Sequence, residues 1–114
     1  MDIEVVHQDN AVVVSLRGRI IDGESAEELR KTLQRLILAG SLNTIVDLEQ
    51  VTWFDSLAIG LLVTHHVSLS KRGGRTVLLH ANDKIRQLMR LAHLEDRFEW
   101  ASTLEQAVGL LEAC

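Results

Sequence analysis

The chain contains no proline, and its predicted helices and strands are joined by short connections. Enzymes that enclose a substrate commonly use a long binding loop or a mobile lid for this purpose. Because the sequence offers no segment of that kind, we expect a protein that works by binding and is not an enzyme.

Cysteine and long apolar runs are also scarce. The one cysteine, Cys114, is the last residue and cannot form an internal disulfide. The longest apolar run covers residues 58–63, whereas a helix that spans a membrane needs about 20 such residues. Residues 1–4 show no charged and then apolar signal pattern. We therefore expect a soluble cytoplasmic protein with no membrane insertion.

Basic residues are too few for a nucleic-acid-binding surface. The net charge is −4, and phosphate binding requires clustered Lys and Arg. One basic cluster, formed by Lys71, Arg72 and Arg75, surrounds Gly73 and Gly74, where a helix is expected to end. Since cations are favoured at a helix C-terminus, this cluster needs no ligand. We expect no direct contact with nucleic acid.

The composition suits one domain, residues 1–114. A chain of 114 residues with 46% hydrophobic content can bury a single core without disulfides or metals. β-type runs at residues 3–6 and 11–16 are separated by turn-forming residues and predict an antiparallel hairpin. Further short apolar runs follow at residues 44–48, 76–79 and 98–100.

Two helices are predicted after the hairpin, one before and one after the strand at residues 44–48. Ser25 and Glu28 form a capping box and predict the start of the first helix, which ends before Gly40. The second helix, residues 56–71, is apolar around most of its first half and is expected to be the central buried helix. The apolar face of the first helix contains Ala26, Leu29, Leu33, Leu36 and Ile37.

Two more helices complete the chain. Asn82 and Asp83 are expected to cap the third, and Thr103 with Gln106 forms a capping box ahead of the fourth. Helices that alternate with strands after an initial hairpin predict an α/β fold. Its mixed central sheet would have about five strands, antiparallel at the N-terminal hairpin and parallel afterwards, with about four helices.

The most informative residues are Asp55 and Ser56, where an apolar strand is expected to become an apolar helix. N–H groups in the first turn of a helix lack intrahelical partners, so an oxygen of Ser56 can cap them or carry a phosphate beside them. The alternative is that both residues are only N-cap residues, worth about 0.5 to 2 kcal/mol of stability.

Other residues near this pair are candidates for a partner surface. Trp53 and Phe54 should point to opposite faces of a strand, one into the core and the other towards a partner. Leu88 and Met89 either form a docking face beside Ser56 or pack in the core.

No metal site is predicted. His65 and His66 are adjacent on a helix, so their side chains diverge and share a metal poorly. No third ligand at helical or hairpin spacing supports a zinc site. His7, His80 and His93 are scattered, and we expect them to be structural or exposed to solvent.

Asp47 suggests a rival, enzymatic function, because phosphate-accepting receiver domains also carry an aspartate near the end of a central strand. A receiver would further need an acidic pair after its first strand and a late lysine, which this chain lacks. Ser56 also lacks the Gly-x-Ser-x-Gly pattern of a hydrolase. A phosphate-handling enzyme or carrier that uses Ser56 or Asp47 stays open as a further hypothesis.

In order and spacing, segments along essentially the whole chain resemble the STAS family, which includes the anti-sigma-factor antagonists of bacteria. The last of these segments is FDSLAIG, which contains Asp55 and Ser56. The matching segments are residues 16–18, 26–30, 45–48, Val51 and residues 54–60.

The resemblance implies that Ser56 is phosphorylated by a partner kinase and that Asp55 lies beside it. It also implies a partner-facing connection that contains Asp22. The family commonly continues with Ser or Thr and then Gly, whereas this chain has Leu57 and Ala58. We expect partner-binding residues at Asp22, Asp55, Ser56, Leu57, Ala58 and Met89.

By this resemblance the protein is an anti-sigma-factor antagonist, which sequesters an anti-sigma factor with serine kinase activity and so regulates transcription indirectly. A phosphatase would remove the phosphate. The kinase brings nucleotide and Mg²⁺, so we expect no cofactor in this chain. The alternative within the same fold is a cytoplasmic subunit of a membrane transport complex, for example an ABC-type lipid transporter. A homodimer is also open.

Overall fold

The computed structural model describes residues 2–8, 10–20 and 23–112. These residues form a five-stranded sheet and four helices. The strands are β1 (Asp2–Gln8), β2 (Ala11–Ile20), β3 (Asn43–Phe54), β4 (Arg75–Leu79) and β5 (Glu99–Ala101). The helices are α1 (Gly23–Leu38), α2 (Ser56–Ser70), α3 (Asp83–Leu91) and α4 (Leu104–Glu112), and a short 3-10 turn (Glu95–Arg97) precedes β5.

The order of the strands in the sheet follows their order in the chain. β1 and β2 pair antiparallel, whereas each later pair is parallel and is joined by a helix that crosses over the sheet. The predicted α/β fold, with a mixed five-stranded sheet and four helices, is therefore confirmed.

Side chains alternate between the two faces of the sheet, as β geometry requires. In β2, Val12 and Val14 pack in the core that also contains side chains of α1, α2 and α3. Their neighbours Ala11 and Val13 pack on the other face, with Ala107 of α4. The domain therefore has three layers, and α2 and α4 lie on opposite faces of the sheet.

Strands β2 and β3 are longer than the apolar runs that predicted them. β2 ends at Ile20 and β3 at Phe54, and these two residues pair with each other. Glu49 and Gln50 interrupt the apolar pattern of β3; both are exposed, and the pairing with β2 continues after a shift of one residue between Asp47 and Gln50. Because β4 already ends at Leu79, the last part of β3 pairs with β2 and places the start of α2 beyond the end of β4.

Two of the predicted helix caps form, and a third does not. The Asn82 Oδ1 atom and the Thr103 Oγ1 atom each accept a hydrogen bond from the N–H three residues further on, at 2.8 and 3.1 Å. Helix α1, however, begins at Gly23. Ser25 lies inside its first turn and is buried, so the predicted capping box with Glu28 is wrong.

Helix α2 is less buried than its apolar sequence predicts. It contacts the sheet through one face, which includes the fully buried Leu62 and Leu69. The side chains of Leu57 and Val67 are 50% and 44% exposed. The prediction that α2 is the central buried helix is therefore wrong, because α2 lies in an outer layer. None of the described helices is long and apolar enough to cross a membrane.

Candidate protein-interaction site at the start of helix α2

Asp55 caps helix α2, and Ser56 is the first residue of this helix. The Asp55 backbone is extended, with φ −106° and ψ −178°, and its Oδ1 atom accepts a hydrogen bond from the Ala58 N–H at 3.0 Å. Its carbonyl oxygen accepts from the Ile59 N–H at 3.1 Å. Since Asp55 performs the capping, the Ser56 hydroxyl is not needed for it.

Ser56 is exposed, and its hydroxyl forms no hydrogen bond with any described residue. It lies in the first turn of α2, where free N–H groups carry a partial positive charge. A phosphate on this hydroxyl would stand at a helix N-terminus, which is a favourable place for an anion. The position therefore suits a reversible phosphorylation.

The residues before the cap face opposite sides, as the sequence predicts. Phe54 is buried in the core with 1% exposure, whereas Trp53 is partly exposed. The Nζ atom of Lys84 lies 4.8 Å from the centroid of the Trp53 ring, within range of a cation–π interaction. Because Lys84 belongs to α3, this contact holds the start of α3 against the end of β3, close in the chain to Asp55.

Two of the side chains that we expected to contact a partner are fully buried. Ala58 and Met89 each have 0% exposure and belong to the core on the α2 side of the sheet. The prediction that they contact a partner directly is therefore wrong for both, because neither side chain is exposed. Leu57 is half exposed and follows Ser56 directly. Asp22 lies outside the described residues.

The structure also brings together three side chains whose proximity the sequence did not predict. The Nδ1 atom of His80 lies 3.0 Å from Asp47 Oδ1 and 3.6 Å from Glu49 Oε2. The parallel register explains this meeting, since it pairs Asp47 with Leu79 and places the following residue nearby. The sequence shows both strands but not how they pair. Asp47, which resembled a phosphate acceptor, is thus engaged by an imidazole.

The mixed sheet defines a small α/β domain. The exposed serine at the capped start of α2 gives this domain a candidate protein-interaction surface. The family model of the STAS domain matches residues 2–107, and the chain belongs to this family. The family that the sequence pattern suggested is therefore confirmed.

Related proteins extend the comparison. The anti-sigma F factor antagonist of Lysinibacillus sphaericus is 29% identical over 107 residues, which cover 93% of this chain and 89% of that protein. An anti-sigma factor antagonist from Mycobacterium paratuberculosis has the same fold, with a TM-score of 0.87 and 22% identity over 98% of this chain and 94% of that chain. The Bacillus cell fate determinant SpoIIAA in its phosphorylated form has a TM-score of 0.77 and 24% identity over 97% of this chain and all of that chain.

Proposed function

We propose that this protein is an anti-sigma-factor antagonist, which binds an anti-sigma factor through the surface around Ser56. The observation that carries this proposal is the exposed Ser56 hydroxyl, which follows the capping Asp55 at the start of α2. Membership of the STAS family and similarity to proteins named anti-sigma factor antagonists support it. In this proposal the anti-sigma factor has serine kinase activity and phosphorylates Ser56.

Phosphorylation of Ser56 would leave the fold of the domain intact. A phosphate adds about −1.5 to −2 charges at neutral pH, and the first turn of a helix stabilises an anion. The capping hydrogen bond from the Ala58 N–H to Asp55 does not use the serine hydroxyl and would persist. The proposed switch therefore needs no rearrangement of the domain.

The phosphate would act on the binding surface. Its neighbours in the chain are the Asp55 carboxylate and the exposed Leu57 side chain. At this place the added charge would repel an acidic surface of the partner and disrupt an apolar contact with Leu57. Dephosphorylation by a phosphatase would restore the surface.

The proposal assigns a role to the chain as a whole. Residues 1–114 act as one STAS domain that binds and does not catalyse, while the kinase binds nucleotide and Mg²⁺. Asp22, in the connection between β2 and α1, contacts the same partner. Because an anti-sigma factor controls transcription in bacteria, the complex forms in the cytoplasm.

The test is a calorimetric titration of wild-type protein, Ser56→Ala and Ser56→Asp with a serine-kinase anti-sigma factor from the same organism. We expect wild type and Ser56→Ala to bind equally, because the hydroxyl is not a structural group. Ser56→Asp should bind at least tenfold more weakly and unfold at nearly the same temperature. With ATP and Mg²⁺, mass spectrometry should find one added phosphate on wild type and none on Ser56→Ala.

Ser102→Asp is a matched control. Ser102 is also exposed and lies just before a helix, but that helix, α4, covers the opposite face of the sheet. This variant should bind the anti-sigma factor like wild type. Equal binding by Ser56→Asp would contradict the switch, and a collapsed fold would point to a structural role for position 56. In a pull-down from lysate of the native organism with the same variants as baits, equal capture of transporter components by all of them would favour the fixed-subunit alternative.

A further inference from the structure

Three side chains with metal-binding atoms converge on the α4 side of the sheet. They are Asp47, Glu49 and His80, and one ligand atom from each lies within 4.8 Å of the other two. The His80 Nδ1 atom is 3.0 Å from Asp47 Oδ1 and 3.6 Å from Glu49 Oε2. The cluster contains an imidazole nitrogen as well as carboxylate oxygens.

The fold explains why these three groups meet. Asp47 and Glu49 are two positions apart in β3, where the pairing with β2 shifts by one residue, and the Glu49 N–H donates a hydrogen bond to Asp47 Oδ1 at 3.1 Å. β4 ends opposite Asp47, and His80 is the first residue after it. The His80 N–H donates to the Ala101 carbonyl oxygen at 3.1 Å, and φ at His80 is 58°. The backbone thus turns at His80 and brings its ring to the carboxylates.

The electrostatics of the cluster favour a cation. Among the ion pairs of the described residues, the two carboxylates share a single partner, the His80 imidazole. Two negative groups therefore face at most one positive charge. The side chains of Asp47 and His80 are 22% and 30% exposed, which screens them less than a fully exposed pair, whereas the Glu49 side chain is 62% exposed.

We propose that Asp47, Glu49 and His80 form a binding site for a divalent transition-metal ion such as Zn²⁺. Zinc is bound by imidazole nitrogen and carboxylate oxygen at about 2.0 to 2.2 Å, so two ligands of a tetrahedral ion lie about 3.4 Å apart. The observed separations of 3.0 and 3.6 Å bracket this value. The ion would displace any proton on Nδ1, and its fourth position would be open to water or to a group of another molecule.

The nitrogen ligand determines which ions should bind. Imidazole suits zinc and other first-row transition metals, whereas Mg²⁺ and Ca²⁺ prefer oxygen ligands alone. The site is separate from Ser56, because Asp47 follows Ile45 by two positions in the regularly paired part of β3 and so lies on the α4 face, while α2 packs on the other face. A bound ion would join β3 to the connection that follows β4.

The test uses chelator-treated full-length protein, titrated with ZnCl₂ by calorimetry and heated with and without the ion. We expect one equivalent of Zn²⁺ to bind saturably and to raise the unfolding temperature, since an ion that binds only the folded state stabilises it. Asp47→Asn and His80→Asn should each weaken binding at least tenfold. Asparagine is chosen at position 80 because it tolerates positive φ. MgCl₂ should give no saturable binding.

His93→Asn is the matched control, because His93 is an exposed histidine whose φ is 59°. It should bind Zn²⁺ like wild type. Circular dichroism would show whether each variant is folded, and Asp47→Asn decides the question if His80→Asn is not. Absence of saturable Zn²⁺ binding by wild type would overturn the proposal, as would equal affinity in wild type and folded Asp47→Asn.

Discussion

The Nε2 atom of His65 lies 3.1 Å from the Thr44 Oγ1 atom, and both side chains are almost fully buried between α2 and the sheet. Within the described chain, the other ring nitrogen of His65, Nδ1, has no hydrogen-bond partner. Burial, with a smaller effect of the neighbouring His66, lowers the pKa of His65 to about 4. The ring is therefore neutral in the folded protein near neutral pH.

Stability should depend on pH because of His65. The pKa in the unfolded chain is about 6.5, so between pH 6.5 and 4 the unfolded state binds a proton that the folded state does not. The stability contributed by neutral His65 is complete above pH 6.5 and is lost as the pH falls towards 4, by about 3 kcal/mol.

Urea unfolding at several pH values would measure this dependence. The slope of unfolding free energy against pH should be clearly smaller in His65→Gln than in wild type. His66→Gln is the control, because burial also lowers the pKa of His66 but its ring is less buried. An unchanged slope in His65→Gln would show that the buried ring is not the titrating group.

Asp55→Ala should lower the free energy of unfolding by about 0.5 to 2 kcal/mol, because it removes the acceptor for the Ala58 N–H. Asp55→Asn retains a capping oxygen and should lose less. Ser56→Ala should be nearly neutral, since its hydroxyl forms no hydrogen bond with the described residues. Urea denaturation of the three variants distinguishes the roles, and a larger loss in Ser56→Ala than in Asp55→Ala would contradict them.

Leu57→Ala should weaken binding to the anti-sigma factor about tenfold, because an exposed apolar side chain beside Ser56 would be covered by the partner. Its free energy of unfolding should change by less than about 0.5 kcal/mol, as is usual for surface substitutions. Calorimetric titration measures the affinity. Val67→Ala changes a similarly exposed residue on the same helix and should bind normally. Equal affinities in both variants would place the contact elsewhere.

Much of the fold could be predicted because its signals are local. The caps at Asn82 and Thr103 depend on residues three apart, and both form. The predicted start of α1 is wrong for the same local reason, because a serine followed three residues later by a glutamate, here Ser25 and Glu28, also occurs inside a first turn. The Ser-x-x-Glu pattern is compatible with Ser25 as the N-cap and also with Ser25 inside the first turn.

In the candidate site, local sequence patterns predict some features and not others. Ser56 and Asp55 could be singled out because they stand where β3 becomes α2. Leu57 and Ala58 are adjacent and both apolar, yet one is half exposed and the other fully buried. Which of them faces the sheet depends on the rotation of α2 against its neighbours, and its nearly continuous apolar sequence does not encode that rotation.

The sequence by itself determined the kinds and order of the elements, the family, and the serine that we propose as the switch. These follow from periodicity, capping and a short motif, which neighbouring residues specify. Tertiary structure alone decided that Met89 is core and that His80 meets Asp47, 33 positions earlier in the chain. Such contacts require the pairing register of the strands, because a shift by one residue would move every side chain to the other face of the sheet.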